Sequence, residues 1–225
     1  MMNPGKLARG VTFAVTSLYT IVLYLSHDSV KADAGRLLSY VPTVVGFGLI
    51  LFDLWIWRFC LVHPFVGRPW VGGTWLGTVQ PSPESRIPEG GNRGPIKAAL
   101  VIEQTYWALS VTLMTAESAS QSTSASLRPD MESAGRRVLA YTYANEPELK
   151  HQDRSPPHLG ASRLRIVGRL PTEINGAYWT ARLTAGDMKF NLVDRKVDYP
   201  TLDAVVTAAT AMGSRTAAAR EESAK

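Results

Sequence analysis

The chain has almost no cysteine, little charge and no recognisable catalytic motif. Cys60 is the single cysteine in 225 residues, which excludes an intrachain disulfide framework and fits a reducing compartment. Glycine-rich phosphate loops, zinc-type Cys/His sets and nucleophile motifs are missing. The net charge of +5 is too small and too scattered to suggest binding to a nucleic-acid polymer. We therefore expect a protein that is not an enzyme, with no catalytic residues, metal or cofactor.

Two apolar runs stand near the N-terminus. The first extends from about residue 7 to 25 and the second from 40 to 62, and each is long enough as a helix to cross the roughly 30 Å hydrocarbon layer. A signal peptide is disfavoured for the first run because no small-residue cleavage site follows it. The segment between the runs is less basic than either flank, which places both flanks in the cytoplasm. The sequence thus predicts a transmembrane two-helix hairpin over residues 1–66.

Polar residues inside this predicted hairpin are candidates for helix association. Arg9 and Asp53 fall at a similar depth, and an unpaired Asp in a membrane costs roughly 2.5–3.5 kcal/mol, so we expect an Arg9–Asp53 ion pair. The alternative places Asp53, hydrated, at the interface. Thr16 shares a helix face with threonines four positions before and after it. That face could pack within the hairpin or form a polar stripe between protomers.

The chain after the apolar runs has the pattern of a β-barrel. Eight short, evenly spaced strand-like runs follow, with no helical periodicity between them, which favours an antiparallel lipocalin-like barrel over residues 70–198. The predicted strands are 70–80, 96–104, 106–115, 121–128, 137–145, 162–170, 174–183 and 187–193. The loop over residues 81–95 could be a lid or plain disorder. Residues 199–225 form an Ala-rich tail, helical or disordered, in which Thr201 could cap a helix.

Polar and aromatic residues alternate along several of these strands and could line a cavity. An eight-stranded barrel is just wide enough for packed side chains or one small ligand. Tyrosine rings can stack on bases and arginine can hold phosphates, so an inward-facing set favours a nucleotide. The alternative is that the tyrosines are core and the arginines face water. The candidate ligand contacts are Tyr141, Tyr143, Tyr178, Thr180, Arg182 and Ser124.

The order of motifs along the chain resembles a known family. The motifs are Gly73-Thr74-Trp75-x-Gly77, Ile102-x-Gln104-x-x-Trp107, a Ser/Thr-rich stretch over 115–126, Leu139-x-Tyr141-x-Tyr143-x-Asn145-x-Pro147, His158-x-Gly160 with Leu164-x-Ile166, and Gly176-x-Tyr178-Trp179-Thr180-x-Arg182-x-Thr184-x-Gly186. This arrangement, from residue 7 to about 194, resembles the SMODS-associated two-transmembrane, β-strand-rich effectors of bacterial CBASS antiphage defence. The Ala-rich tail is not part of that pattern.

The resemblance implies a function for the whole chain. In that family a membrane-tethered barrel receives a cyclic di- or oligonucleotide made by a partner cyclic nucleotide synthase during phage infection. Binding drives homo-oligomerisation, and the transmembrane helices then disrupt the lipid of the inner membrane in an abortive infection. The implied location is the bacterial inner membrane, multi-pass, with the N- and C-termini cytoplasmic. Trp75 would plug one end of the barrel rather than contact the ligand.

A different function remains open on the sequence. The chain could be a membrane-anchored lipocalin-like binding module for a lipid or other apolar ligand. A cavity lined mainly by Leu, Val and Trp would favour that function, whereas Arg182 and Tyr143 pointing inward would favour a nucleotide.

Overall fold

The fold is taken from a computed structural model that describes residues 4–25, 32–59, 61–131, 135–147 and 156–223. The chain divides into two compact units. The first comprises Met1–Arg68 and Thr105–Ala108, and the second comprises Pro69–Gln104 and Leu109–Lys225. Each unit is described by itself below.

The first unit is built on two long helices, α1 (Pro4–Leu25) and α2 (Ala32–Leu54), followed by a 3₁₀ turn over Ile56–Arg58 and the short helix α3 (His63–Val66). Helices α1 and α2 approach closely where Gly46 faces Thr16, since a Cβ at Gly46 would lie 2.9 Å from the Thr16 methyl carbon. The Thr20 and Thr43 hydroxyls lie 2.6 Å apart across the same contact. The threonine face therefore packs α1 against α2 within one chain.

The predicted transmembrane hairpin is wrong. No helix within the described residues combines the length and the apolar character needed to cross a membrane. The apolar run over 40–62 is not one helix, because α2 ends at Leu54, and the first turns of α2 carry Asp33 and Arg36. Threonine and serine dilute the apolar character of α1 in the same way. The multi-pass inner-membrane location that depended on these spans is wrong for the same reason.

Asp53 has a structural role at the end of α2. Its side chain is fully buried and accepts a hydrogen bond of 2.9 Å from the N–H of Trp107. Its backbone carbonyl accepts from the N–H of Tyr106 at 3.0 Å and from the indole N–H of Trp57 at 3.0 Å. Burial lowers the pKa of Arg58, and the charge of Asp53 partly offsets that effect. The side chain of Arg9 lies outside the described residues, so the Arg9–Asp53 pair stays a prediction.

The second unit contains the predicted eight-stranded antiparallel β-barrel, which is confirmed. Each strand pairs with the next in the chain and the last pairs with the first, so the sheet closes on itself. The strands are β1 (Gly73–Pro81), β2 (Ile96–Gln104), β3 (Leu109–Thr115), β4 (Ser118–Pro129), β5 (Arg136–Pro147), β6 (His158–Val167), β7 (Glu173–Thr180) and β8 (Ala185–Asp194).

One end of the barrel is filled by tryptophan and arginine. Trp75, at the start of β1, is fully buried within the barrel core. The Arg195 guanidinium lies 4.9 Å from the Trp70 ring centre and 5.8 Å from that of Trp75. It also donates hydrogen bonds of 2.9–3.1 Å to the carbonyl oxygens of Trp70, Gly72 and Pro171. The Arg195 side chain, which follows β8, thus connects the segment before β1 with the turn between β6 and β7.

The C-terminal helix α4 (Leu202–Ser223) covers part of the outer barrel wall. Its first turn is capped as the sequence predicts, because the Thr201 hydroxyl accepts a 3.3 Å hydrogen bond from the N–H of Ala204. Val205 is fully buried and packs with Ala99, Val101 and Met114 on β2 and β3.

Candidate functional site

A cavity of about 260 Å³ opens at the end of the barrel that is opposite Trp75. It lies where β1, β3, β5 and β7 end and where the even-numbered strands begin. Below it, the apolar core fills the barrel. The side chains that line it are mixed in chemistry: Val79, Pro81, Ile87, Pro88, Asn92, Ile96, Leu113, Thr115, Glu117, Ser118, Ser120, Tyr143, Asn145, His158, Tyr178, Thr180, Arg182, Thr184 and Met188.

The cavity brings together four of the six predicted ligand contacts: Tyr143, Tyr178, Thr180 and Arg182. Tyr141 lies in the core cluster, with its ring centre 5.9 Å from that of Tyr143. Tyr143 on β5 and Tyr178 and Thr180 on β7 therefore face the cavity, as the alternation of residues along these strands predicts. The ligand-binding role of these residues stays a prediction.

Ser124 is not brought to the cavity. It is exposed, and its hydroxyl lies 2.8 Å from that of Thr142. The pairing of β4 with β5 shifts register between Ser122 and Ser124, and such a bulge exchanges the inner and outer faces of a strand. Ala125 accordingly packs against the core. The sequence pattern alone could not locate this shift.

The tyrosines of the barrel interior are held in their neutral form. Burial raises the pKa of Tyr143, and the neighbouring Tyr141 and Tyr178 raise it further. Burial raises the pKa of Tyr141 to about 12, and burial also raises that of Tyr178. At neutral pH the two cavity tyrosines offer apolar rings together with hydroxyl groups that can donate hydrogen bonds.

The rim of the cavity carries an arginine, a histidine and a glutamate. Arg182 lies on the turn between β7 and β8, and His158 begins β6. Burial lowers the pKa of His158; the charge of Arg182 lowers it further, whereas a 2.9 Å contact with the Pro156 carbonyl opposes the shift. Glu117, on the turn between β3 and β4, also lines the cavity.

A buried polar pair lines the cavity and was not predicted. The Ser120 hydroxyl donates a 2.6 Å hydrogen bond to Oδ1 of Asn145, and both residues are buried. With its oxygen engaged, the Asn145 amide can offer N–H donors to a ligand. Asn145 continues the alternation of Tyr141 and Tyr143, which could have identified it. Ser120 could be found only from the pairing of β4 with β5.

The segment between β1 and β2 covers one side of the cavity. Ile87, Pro88 and Asn92 contribute to the lining, and Gln80 donates a 3.0 Å hydrogen bond to the Arg93 carbonyl. The sequence leaves open whether residues 81–95 are a lid or plain disorder. In the structure these residues are ordered and cover the cavity. Within the ranges that the structure describes, no group of three His, Cys, Asp or Glu side chains could hold a metal ion.

Comparison with known proteins assigns the barrel to a family. The model of the family described as "Cap15, cyclic dinucleotide receptor domain" matches residues 68–192, which is more than half of the chain. The chain belongs to this family. The protein described as "CD-NTase-associated protein 15" from Staphylococcus schleiferi is 26% identical over 180 residues, covering 78% of this chain and 92% of that protein.

The Cap15 match extends from just before β1 into β8, so it covers the barrel and its cavity. The resemblance drawn from the sequence motifs is confirmed at the level of a CBASS-associated effector with a cyclic dinucleotide receptor domain. The Cap15 match does not extend to α1 and α2.

Proposed function

We propose that the barrel is the receptor of a CBASS antiphage effector and that its cavity binds a cyclic dinucleotide. The observation that carries this proposal is the presence of Tyr143, Tyr178 and Arg182 in one cavity of a Cap15-family barrel. A partner cyclic nucleotide synthase would supply the ligand. The protein then acts as a receptor and not as an enzyme.

The chemistry of the cavity matches the parts of such a ligand. The rings of Tyr143 and Tyr178 can stack on bases. Arg182 presents a planar set of donors suited to a phosphate. Thr180 and Asn145 add hydrogen-bonding groups for ribose hydroxyls or base edges.

The same lining argues against the lipid alternative. Two tyrosines, several hydroxyls, two amides, a carboxylate and a guanidinium surround the cavity. An acyl chain offers these groups no hydrogen bonds in place of the water it would displace, and each hydrogen bond lost in this way costs roughly 1–3 kcal/mol.

Ligand binding should also favour a homo-oligomer. A ligand shifts an assembly equilibrium only if it binds the assembled form more tightly than the free form. Large apolar side chains of α1 and α2 are exposed in the single chain, including Phe13, Val44 and Phe47 at 62–67% exposure. Such faces support association between copies.

Calorimetric titration with cyclic di-AMP, cyclic di-GMP and cyclic GMP–AMP tests the proposal, with palmitate as the lipid probe. At least one cyclic dinucleotide should bind, and Arg182→Gln should weaken it about 10- to 100-fold because a charge-assisted hydrogen bond is lost. Arg165→Gln, on the exposed side of β6, is the matched control and should bind like the native protein. Binding of palmitate alone would overturn the proposal.

Light scattering of the same samples tests the assembly. The mass should increase when the cyclic dinucleotide is added and should stay unchanged with a linear dinucleotide of the same bases. An unchanged mass at saturating ligand would remove oligomerisation from the proposal while leaving ligand binding intact.

A further inference from the structure

Ser85 lies in the segment that covers the cavity but does not line the cavity itself. Its hydrogen bonds are therefore not explained by direct contact with a ligand. Its side chain is only 6% exposed. The hydroxyl donates a 2.7 Å hydrogen bond to the carbonyl of Ala185 and accepts one of 3.0 Å from the N–H of the same residue. One side chain thus satisfies both backbone groups of Ala185, a hundred positions further along the chain.

Two backbone hydrogen bonds reinforce this connection. The N–H of Ser82 donates to the Ala185 carbonyl at 2.8 Å, and the N–H of Arg86 donates to the Leu183 carbonyl at 3.2 Å. Residues 82–86 are therefore attached to the turn between β7 and β8. That turn carries Arg182.

The backbone of this turn is not in a conformation that its sequence favours. Leu183 has a φ of +59°, a left-handed conformation that is unfavourable for a side chain with a Cβ. Within the turn, the Thr180 hydroxyl accepts a 3.2 Å hydrogen bond from the N–H of Arg182 and lies 2.7 Å from the Thr184 hydroxyl. Contacts from residues 82–86 add to these and help to hold the turn in place.

We propose that Ser85 is a positioning residue that holds the Arg182 turn at the rim of the cavity for an anionic ligand. The inference rests on the proposed function, because it assigns to the covering segment a role at the same site. Ser85 itself would not contact the ligand. Its effect on affinity would pass through Arg182.

A double-mutant cycle separates this role from a general effect on the fold. Ser85→Ala should weaken the cyclic dinucleotide bound by the native protein about fivefold, the effect of one lost hydrogen bond. In an Arg182→Gln background the same change should have no further effect. Ser126→Ala, an exposed serine on β4, is the control and should not change binding. An equal loss with and without Arg182 would overturn the inference and leave the proposed function standing.

A second measurement needs no ligand. The charge of Arg182 lowers the pKa of His158. Glu117 is the other charged group that lines the cavity, and it is unchanged in every variant, so it cannot cause a difference between them. In an NMR titration, Arg182→Gln should therefore raise the pKa of His158. Ser85→Ala should raise it in the same direction if Arg182 leaves its place, and Ser126→Ala should not.

The two measurements distinguish the possible failures. A His158 pKa that is unchanged in Ser85→Ala would overturn the inference, even in a protein that binds cyclic dinucleotides normally. Failure of the native protein to bind any of the three cyclic dinucleotides would overturn the proposed function, and the inference would fall with it.

Discussion

Burial changes the pKa values of individual side chains in the barrel interior. Tyr141 is the clearest case, because its hydroxyl is buried and makes no hydrogen bond of good geometry. Its register partner Ser162 offsets only part of the rise in the Tyr141 pKa. A buried polar group without a good hydrogen bond usually lowers stability.

Tyr141→Phe should therefore raise the free energy of unfolding by about 1 kcal/mol at pH 8. The native pKa of about 12 exceeds the ordinary value of 10.0, so the unfolded chain releases the Tyr141 proton first, and the stability of the native protein falls as the pH rises from about 10 through 12. Urea unfolding at pH 8 and pH 11 should show a smaller alkaline loss in the variant. Equal losses in both proteins would contradict the prediction.

His158 gives the opposite dependence on pH. Its folded pKa lies below the ordinary 6.5, so the unfolded chain binds the proton more readily and stability falls as the pH drops below 6.5. A bound anion favours the protonated ring, so affinity for a cyclic dinucleotide should rise over the same pH range. Titrations from pH 7.5 to 5.5 should show both trends, and His158→Gln should remove both. A pH-independent affinity in the native protein would exclude a role for His158 at the rim.

At the scale of elements, the alternation of apolar and polar residues predicted the barrel well. The predicted strand over 96–104 coincides with β2. The next strand begins at Leu109 and not at residue 106, because Tyr106 and Trp107 belong to the first unit, where their backbone N–H groups donate hydrogen bonds to Asp53. A contact between residues 54 positions apart leaves no periodic signal in the sequence.

The same limit applies to the site and to the helices. Alternation on β7 correctly placed Tyr178 and Thr180 at the cavity, whereas the bulge in β4 moved Ser124 away from it. The transmembrane prediction failed because hydropathy does not show where a helix ends. Leu54 ends α2 in the middle of an apolar run.

Helix α4 should contribute to barrel stability through its first turns. Val205→Ala removes two buried methyl groups from the contact with β2 and β3 and should lower the free energy of unfolding by about 2 kcal/mol. Thr207→Ala, on the exposed side of the same helix, should change it by less than about 0.5 kcal/mol. Equal effects of the two changes in denaturant unfolding would mean that α4 does not pack as described.

At the scale of the whole barrel, Arg195 joins segments that are far apart in the chain. Arg195→Lys keeps the charge but cannot reach three carbonyl groups in the same geometry or stack as a plane on the tryptophans. It should lower the free energy of unfolding by about 3 kcal/mol, measured by tryptophan fluorescence in urea. Lys196→Ala, at the exposed neighbouring position, should have almost no effect. A lysine variant as stable as the native protein would show that charge alone suffices.

The filled Trp75 end has a kinetic consequence. A molecule bound in the cavity cannot pass through the apolar core beneath it, so it must leave at the same end of the barrel at which it entered. In the part of the barrel that the structure describes, one opening at the cavity end then serves both entry and exit. A change that widens this opening without altering contacts to the bound molecule would multiply the association and dissociation rates by the same factor, and the dissociation constant would stay the same. The time for which the ligand stays bound could therefore change without any change in the ligand concentration needed for binding.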